Sequence, residues 1–434
     1  MLNKITKALF VLFTALFIGF TGLIIYKSSE ILAGRISLSP YNNTTPTNLL
    51  NVDLDIAPNP IAKDKNGYTT ILLVGVDTRA NTRLFNTDTI MTLTYSWKDH
   101  QIYIISYPRD LYIKYPNTYY HFKINAVYAY GTRVFNTDGM KYLEKAIYDI
   151  SGLTVQYHML IDFKGFTDLI NLLGGVKVNI PRSFTDYMYP TESGGYQTIH
   201  FDKGWHTLNA DQALKFARSR HAQGPEGSDF ARAYRQQLLI KAIADQVKEK
   251  VKKDPAWAFK TFQKMTTYVQ ASKVTPNEVK AGLEIFLEKG MPPMFSQVLT
   301  PATAKGTLLM SQANPLYIII PRAGLDNWTY VKQFIKLYFA YPYTVTREPT
   351  IQVTYHTSGS ANKALSNYKT LKNKFYWLTI YYPKYNKTQI EKTTILYKKS
   401  FKSVALELAK LLKIPSENIK EDKSISTSIL INIK

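Results

Sequence analysis

Cysteine is absent from this 434-residue chain, which excludes disulfides, thiolate metal sites and cysteine nucleophiles but is compatible with either side of a membrane. No GxxxxGK[ST] phosphate loop, HExxH pair, GxSxG turn or Cys/His ligand set occurs, so hydrolases of those classes are not expected. Internal repeats and low-complexity tracts are also missing. Acids are scarce, with 32 Asp+Glu against 54 Lys+Arg and a net charge of +22. That balance points to an acidic partner: nucleic acid, anionic lipid headgroups or an anionic polymer.

What is present begins with one apolar run. Ala8 to Tyr26 carries no charge and is about the ~20 residues a bilayer-crossing helix needs. Lys4 and Lys7 precede it, so residues 1–7 are expected to stay cytoplasmic, residues 8–26 to form an uncleaved single-pass anchor, and the rest to lie outside the cell membrane. A cleaved signal peptide is the competing reading, but its apolar core would be shorter. Residues 27–67, rich in Pro, Asn and Thr from Ser37 onward, read as an extracytoplasmic linker.

From Thr69 the pattern changes to alternating strands and helices. Strands are expected at Thr69 to Val76, Thr89 to Ser96, Gln101 to Tyr107, Tyr157 to Asp162 and Val176 to Ile180. Helices are expected at Phe122 to Tyr130, Met140 to Ile150, Phe163 to Leu173, Asn209 to Phe216, Ser228 to Lys248, Thr261 to Phe286 and Trp328 to Phe339, with a loop-rich region between Pro181 and Asn209. This order predicts an α/β (α+β) protein: a three-layer core with a central mixed β-sheet flanked by helices over residues 68–343. Residues 344–434 read as a small basic α/β domain with 16 Lys+Arg against 6 Asp+Glu.

The segment that concentrates chemistry is Arg218 to Gln237, RSRHAQGPEGSDFARAYRQQ. Arg218 and Arg220 project to one side if the backbone is extended. Gly224-Pro225 and Gly227 force a loop, and Ser228 or Asp229 caps the helix that follows. On that helix Arg232, Arg235 and Gln236 share one face. Guanidinium forks beside a helix N-terminus suit phosphate oxygens, so the simplest ligand is a phosphate or pyrophosphate. A solvated basic face with an Asp cap is the plainer alternative. Asp77 and Asp88 stand at strand ends, where hard carboxylates can hold Mg²⁺ on a substrate phosphate or merely cap backbone. Arg109, after Pro108, ends another strand.

The motifs VGVDTR, TDTIM, SYPRD, KINAVYAYG, DFKGFTDLINLLGGVKVNIP, GWHTLNADQALKFARSRH and SDFARAYRQQ together resemble the core of the LytR-CpsA-Psr family over Tyr68 to Tyr341. Residues from Thr350 are similar to a domain often appended to that core. The resemblance implies a membrane-anchored extracytoplasmic phosphotransferase that moves a glycopolymer, such as teichoic acid or a capsule polysaccharide, from a polyprenyl-pyrophosphate carrier to peptidoglycan through a phosphodiester. It further implies that Asp77 and Asp88 hold Mg²⁺ (or Mn²⁺) and that Arg109, Arg218, Arg220, Arg232 and Gln236 grip the pyrophosphate. Asp229 would position an arginine or take the acceptor proton. The chain departs from the family pattern at Asn86-Thr87-Asp88-Thr89 and at Tyr107. The alternatives are a non-catalytic wall-polymer binder and a polyprenyl-pyrophosphate hydrolase at the same site. An extracytoplasmic placement argues against nucleic acid as the partner.

Overall fold

The computed structural model describes residues 61–434 apart from 77–85, 117, 135, 137, 192–193, 254–268, 272–277, 279–291 and 314. The apolar run Ala8 to Tyr26, the linker up to residue 60 and nearly all of the expected Thr261 to Phe286 helix lie outside the described residues. Among those described, no helix is long and apolar enough to cross a membrane. The chain divides into two compact units, one of residues 1–148 with 153–298, and one of 149–152 with 299–434.

The first unit is built on a six-stranded mixed sheet. In chain order its elements are β1 (Tyr68–Val76), β2 (Thr87–Ser96), β3 (Gln101–Ser106), the short pair β4 (Tyr112–Lys114) and β5 (His121–Lys123), α1 (Ile124–Ala129), α2 (Gly139–Ser151), β6 (Tyr157–Asp162), α3 (Phe163–Leu173), β7 (Val176–Ile180), β8 (Phe184–Pro190), β9 (Tyr196–Phe201), β10 (Gly204–Leu208), α4 (Ala210–Arg218), α5 (Asp229–Lys253), β11 (Val269–Ala271) and β12 (Met294–Val298). The strand order is β11-β6-β1-β2-β3-β12. β1 runs antiparallel to β2 and parallel to β6, and β12 runs parallel to β3.

Alternation along the strands sorts the two faces. Met91, Leu93, Tyr95, Ile102 and Ile104 pack in one core with Leu169, Ile170 and Leu173 of α3, Ala213 and Phe216 of α4, and Leu239 and Ile243 of α5. The opposite parity carries Thr70 and Thr94, whose buried hydroxyls bond at 3.0 Å. α3 starts where Asp162 accepts the N–H of Gly165 at 2.7 Å, and it stops at Gly174, whose φ of 75° only glycine adopts cheaply. Asn209 and Gln212 form a reciprocal capping box that starts α4. Ser228, rather than Asp229, caps α5: its Oγ accepts the N–H of Ala231 at 3.0 Å.

Several expectations change. The region expected to be loop-rich holds β8, β9 and β10, with β8 pairing β9 and β10 pairing β7. Its turn residues had masked short strands that alternate inward and outward. The helix expected from Phe122 begins at Ile124, because His121 to Lys123 pairs with β4. α4 runs through Arg218, so Arg218 closes a helix instead of sitting in extended chain; Ser219 then turns outward with ψ 134°.

The second unit contains the pair β13 (Leu309–Gln312) and β14 (Ile318–Pro321), the helices α6 (Thr329–Ala340) and α7 (Pro342–Arg347), and a five-stranded sheet. The sheet is formed by β15 (Ile351–Tyr355), β16 (Ile380–Tyr385), β17 (Thr394–Tyr397), β18 (Ile419–Glu421) and β19 (Ile429–Ile433), with α8 (Ala361–Lys374) and α9 (Lys402–Leu412) between them. Its order is β16-β15-β19-β17-β18. β16 starts at Ile380, and Phe375, Trp377 and Leu378 are buried in the segment before it.

Candidate pyrophosphate-binding cavity

The C-terminal ends of β1 and β6, the start of β2, the hairpin strand β8 and the helices α3, α4 and α5 enclose a cavity of about 210 Å³. Most of its wall is apolar, including Met159, Ile161, Phe166, Leu214, Leu239 and Ile243. Its polar lining consists of Asp88, Asp162, Asp186, Arg218, Arg220, His221, Arg232 and Gln236, with Thr89. The first unit thus gathers, in one concave site, residues from Leu73 to Ile243, up to 170 positions apart in the sequence.

Beside this cavity lies a mesh of ion pairs. Arg109 Nη1 donates to Asp88 Oδ1 at 3.0 Å, and its Nε lies 3.3 Å from Asp229 Oδ2. Arg232 Nη1 is 2.9 Å from Asp229 Oδ1, and its Nη2 donates to the Asp88 carbonyl oxygen at 3.3 Å. Asp229 therefore bridges two guanidiniums. Burial pushes the Asp88 carboxyl up, but the Arg232 and Arg109 charges outweigh it and hold the pKa below the usual range. Burial pulls Arg109 down, and the Asp229 and Asp88 carboxylates more than restore it. For Arg232 burial wins, leaving it below the ordinary arginine value despite the same two acids.

The other arginines divide by partner. Arg218 stacks over Phe163, 4.3 Å from the ring centroid, and donates to the Tyr189 hydroxyl at 3.3 Å. Among the described residues the Arg220 guanidinium has no hydrogen-bond partner. Its backbone N–H, with those of His221 and Met188 and the Ser219 hydroxyl, is taken by Asp186. Asp186 is fully buried. Burial pushes its pKa up, but the bonds from Ser219 and the three backbone amides hold it below the usual carboxylate range.

Arg235 does not join the cavity. It is 1% exposed, and its donors go to Phe216 O at 3.2 Å, Glu226 O at 3.1 Å, Glu226 Oε2 at 2.9 Å and the Ser219 carbonyl. Burial lowers its pKa to about 10 against the pull of Glu226. It pins the 219–226 loop from beneath. Gln236, one residue on, lines the cavity and donates to Ala217 O at 3.2 Å. Gly227 completes the loop: a Cβ there would collide with the Ala222 carbonyl.

Asp77 lies outside the described residues; Val76 before it lines the cavity. Sequence reasoning missed Asp186, Tyr189 and Phe163. Phe163 and Asp186 sit in motif runs or near turns with nothing local to mark their roles. Among the described residues no cluster of three or more His, Cys, Asp or Glu is placed to hold a metal. Asp88 does retain one carboxylate oxygen, Oδ2, without a described partner, on the cavity wall. A single ionised carboxylate plus substrate phosphate oxygens is a donor set that Mg²⁺ accepts.

The LytR_cpsA_psr family model matches residues 37–285, more than half of the chain. The chain belongs to the LytR-CpsA-Psr family. It is 27% identical over 262 residues to the polyisoprenyl-teichoic acid–peptidoglycan teichoic acid transferase TagU of Bacillus cereus, covering 58% of this chain and 74% of that protein. It is 30% identical over 234 residues to TagU of Halalkalibacterium halodurans, covering 54% and 68%. The crystal structure of Bacillus subtilis TagV aligns with a TM-score of 0.46 at 22% identity, covering 63% of this chain and 97% of that one. In this family member, then, Asp88, Arg109, Asp229 and Arg232 form one mesh, Arg218 and Arg220 line the same cavity as Asp88 and Arg232, and Arg235 stands apart as support.

Proposed function

We propose that this chain transfers an anionic glycopolymer from a polyprenyl-pyrophosphate carrier to a peptidoglycan hydroxyl, forming a phosphodiester. One observation carries the reading: a single cavity joins an apolar stem to an arginine-lined head. Lipid pyrophosphates have that same division. Each five-carbon isoprene unit seated on the stem contributes roughly 4 kcal/mol at about 0.8 kcal/mol per carbon, so a few units anchor the donor before any charge contact forms. The teichoic acid transferases to which the chain is similar support the choice of reaction.

In the reaction the acceptor oxygen bonds to the phosphorus that bears the glycopolymer. The bond from that phosphorus to the bridging oxygen breaks, its electron pair leaves on polyprenyl phosphate, and the acceptor proton is released. Arg218 and Arg220 hold the leaving phosphate, with Gln236 at the wall, while Arg109 and Arg232 stabilise charge on the phosphorus under attack. Asp229 orients both of these guanidiniums. That double pairing favours positioning over proton transfer as its role. Mg²⁺ would be held by Asp88 with Asp77 and would supply further positive charge on the pyrophosphate. The apolar Ala8 to Tyr26 run supports anchoring in the cell membrane with the catalytic unit outside.

The test is incubation of the protein with a lipid-pyrophosphate glycan, Mg²⁺ and peptidoglycan fragments, followed by mass analysis. A phosphodiester-linked product is expected. Release of glycan phosphate by water alone would make the protein a hydrolase instead, and no turnover at all would leave only a binding role.

A further inference from the structure

We propose that the β4–β5 hairpin is the docking platform for the acceptor glycan strand. The inference rests on the transferase reading and names the subsite that reading leaves open. The hairpin's cross-strand pairs are Tyr112 with Lys123, Ile113 with Phe122, and Lys114 with His121. Alternation puts Ile113 and Phe122 on the inner side, where Tyr115 also lies buried. The outer side carries Tyr112, Lys114, His121 and Lys123. There the Tyr112 and His121 rings stack at 5.5 Å with an interplanar angle of 24°. Beyond them Tyr119 is 92% exposed and Tyr120 65% exposed, with Lys114 Nζ 5.1 Å from the Tyr119 ring centroid.

Exposed aromatic rings next to polar groups mark recognition surfaces. A pyranose ring fits this one, because its C–H face meets the electron-rich ring face while its hydroxyl and acetamido edges stay in water. The hairpin is braced from beneath: Tyr115 stacks on Tyr142 at 4.9 Å and Phe122 on Tyr130 at 4.5 Å.

Continuity with the ion-pair mesh selects the acceptor as the occupant. β4 begins three residues after Arg109, and Asn125, just past β5, donates its N–H to the Arg109 carbonyl at 3.3 Å. Lys123 Nζ reaches Asp110 Oδ1 at 2.6 Å, and Arg109 Nε lies 3.6 Å from Asp110 Oδ2. Arg109 is not part of the cavity lining, yet it grips Asp88, which is. In-line displacement requires the attacking oxygen to approach opposite the leaving lipid phosphate. With the lipid in the cavity, the hydroxyl comes from outside it, the side on which Arg109 and the hairpin stand. The exposed Lys114 suits the carboxylates of a peptidoglycan stem.

The test uses the full-length protein in detergent, an N-acetylglucosamine tetramer as the sugar probe, geranylgeranyl pyrophosphate as the carrier probe, and a lipid-pyrophosphate disaccharide as the donor probe. Tyr119→Ala and Tyr112→Ala should each weaken tetramer binding about tenfold, whereas Tyr119→Phe and Tyr112→Phe retain it, and geranylgeranyl pyrophosphate affinity stays unchanged in all four. Unaltered melting curves for the Tyr119 variants confirm that binding, and not folding, is read. A wild-type protein that ignores the tetramer, or alanine variants that bind it normally, would overturn the inference. So would alanine variants that weaken only the donor disaccharide. Failure of geranylgeranyl pyrophosphate to bind the wild type would instead remove the transferase reading, leaving the sugar result to stand or fall separately.

Discussion

Asp186→Asn is the substitution that isolates how the cavity's arginine loop is held. Asp186 Oδ2 accepts from Ser219 Oγ at 2.7 Å, His221 N at 3.2 Å and Arg220 N at 3.3 Å, and Oδ1 accepts from Met188 N at 3.0 Å. An asparagine whose oxygen replaces Oδ2 keeps three of these acceptor contacts, now uncharged, and turns an NH₂ toward the Met188 N–H. One charge-assisted bond, worth roughly 1.5–3 kcal/mol, is lost and three are weakened. The combined cost should be about 3 kcal/mol, concentrated on residues 218–221. Hydrogen exchange reads this locally: protection of the Arg220 and His221 amides should fall roughly 100-fold, at 1.4 kcal/mol per tenfold. Transfer activity should drop at least tenfold as Arg220 loses its anchor.

The pH dependence follows from the direction of the Asp186 shift. Its folded pKa lies below the ordinary carboxylate value, so the stabilisation is fully present above the unfolded value of about 3.9. It is lost as pH falls through the depressed folded value. The difference in stability between wild type and Asp186→Asn should therefore be constant near neutrality and shrink on strong acidification. Equal protection of the Arg220 and His221 amides in both proteins, or a difference that grows in acid, would refute the reasoning.

Four further outcomes are expected. Arg220→Ala should reduce transfer at least tenfold with no change in melting temperature, and Lys should rescue poorly because it lacks the planar fork; a silent Arg220→Ala in the activity assay would remove it from the site. Arg235→Ala should instead destabilise the protein by roughly 3–5 kcal/mol, since it strips partners from buried carbonyls and from Glu226; denaturant titration checks this. Asp88→Asn should raise the Mg²⁺ concentration for half-maximal activity more than tenfold while geranylgeranyl pyrophosphate still binds. Ile243→Trp, which fills the apolar stem, should raise the KM for long-chain donors more than for short-chain ones, measured across a series of carriers.

Much of this arrangement was legible in the sequence where the signal is local. The run TTILLVGV reads as a buried strand because both its faces are covered, and Asp162 and Gly174 bracket α3 with chemistry visible at their own positions. The arginines between Arg218 and Gln237 are legible from composition and spacing, and Asp88 from its place at a strand end, whereas the roles of Arg109 and Asp229 come from the family resemblance. What periodicity missed is instructive. Arg232, Arg235 and Gln236 share a helix face, but spacing does not reveal that the 219–226 loop crosses over Arg235 and leaves Arg232 and Gln236 toward the cavity. Asp186 is invisible for a related reason: three of its four partners lie 33 to 35 positions away, and the turn residues around it disguise the strand that delivers it.

The charge balance of the site leads to the final prediction. Arg109, Arg218, Arg220 and Arg232 contribute four formal positive charges, and Asp88, Asp162, Asp186 and Asp229 contribute four negative ones, so these side chains leave no surplus for the two negative charges of a pyrophosphate diester. During transfer that diester becomes a phosphodiester with one charge and a polyprenyl phosphate with two, with a proton released, so one further negative charge develops. The Asp88 carboxylate oxygen without a described partner is where a divalent cation would supply the difference. Geranylgeranyl pyrophosphate should therefore compete with the donor more strongly in Mg²⁺ than in chelator, and geranylgeranyl monophosphate should gain less from the metal. Competition experiments in both conditions decide this, and equal metal dependence for the two phosphates would sink the charge argument.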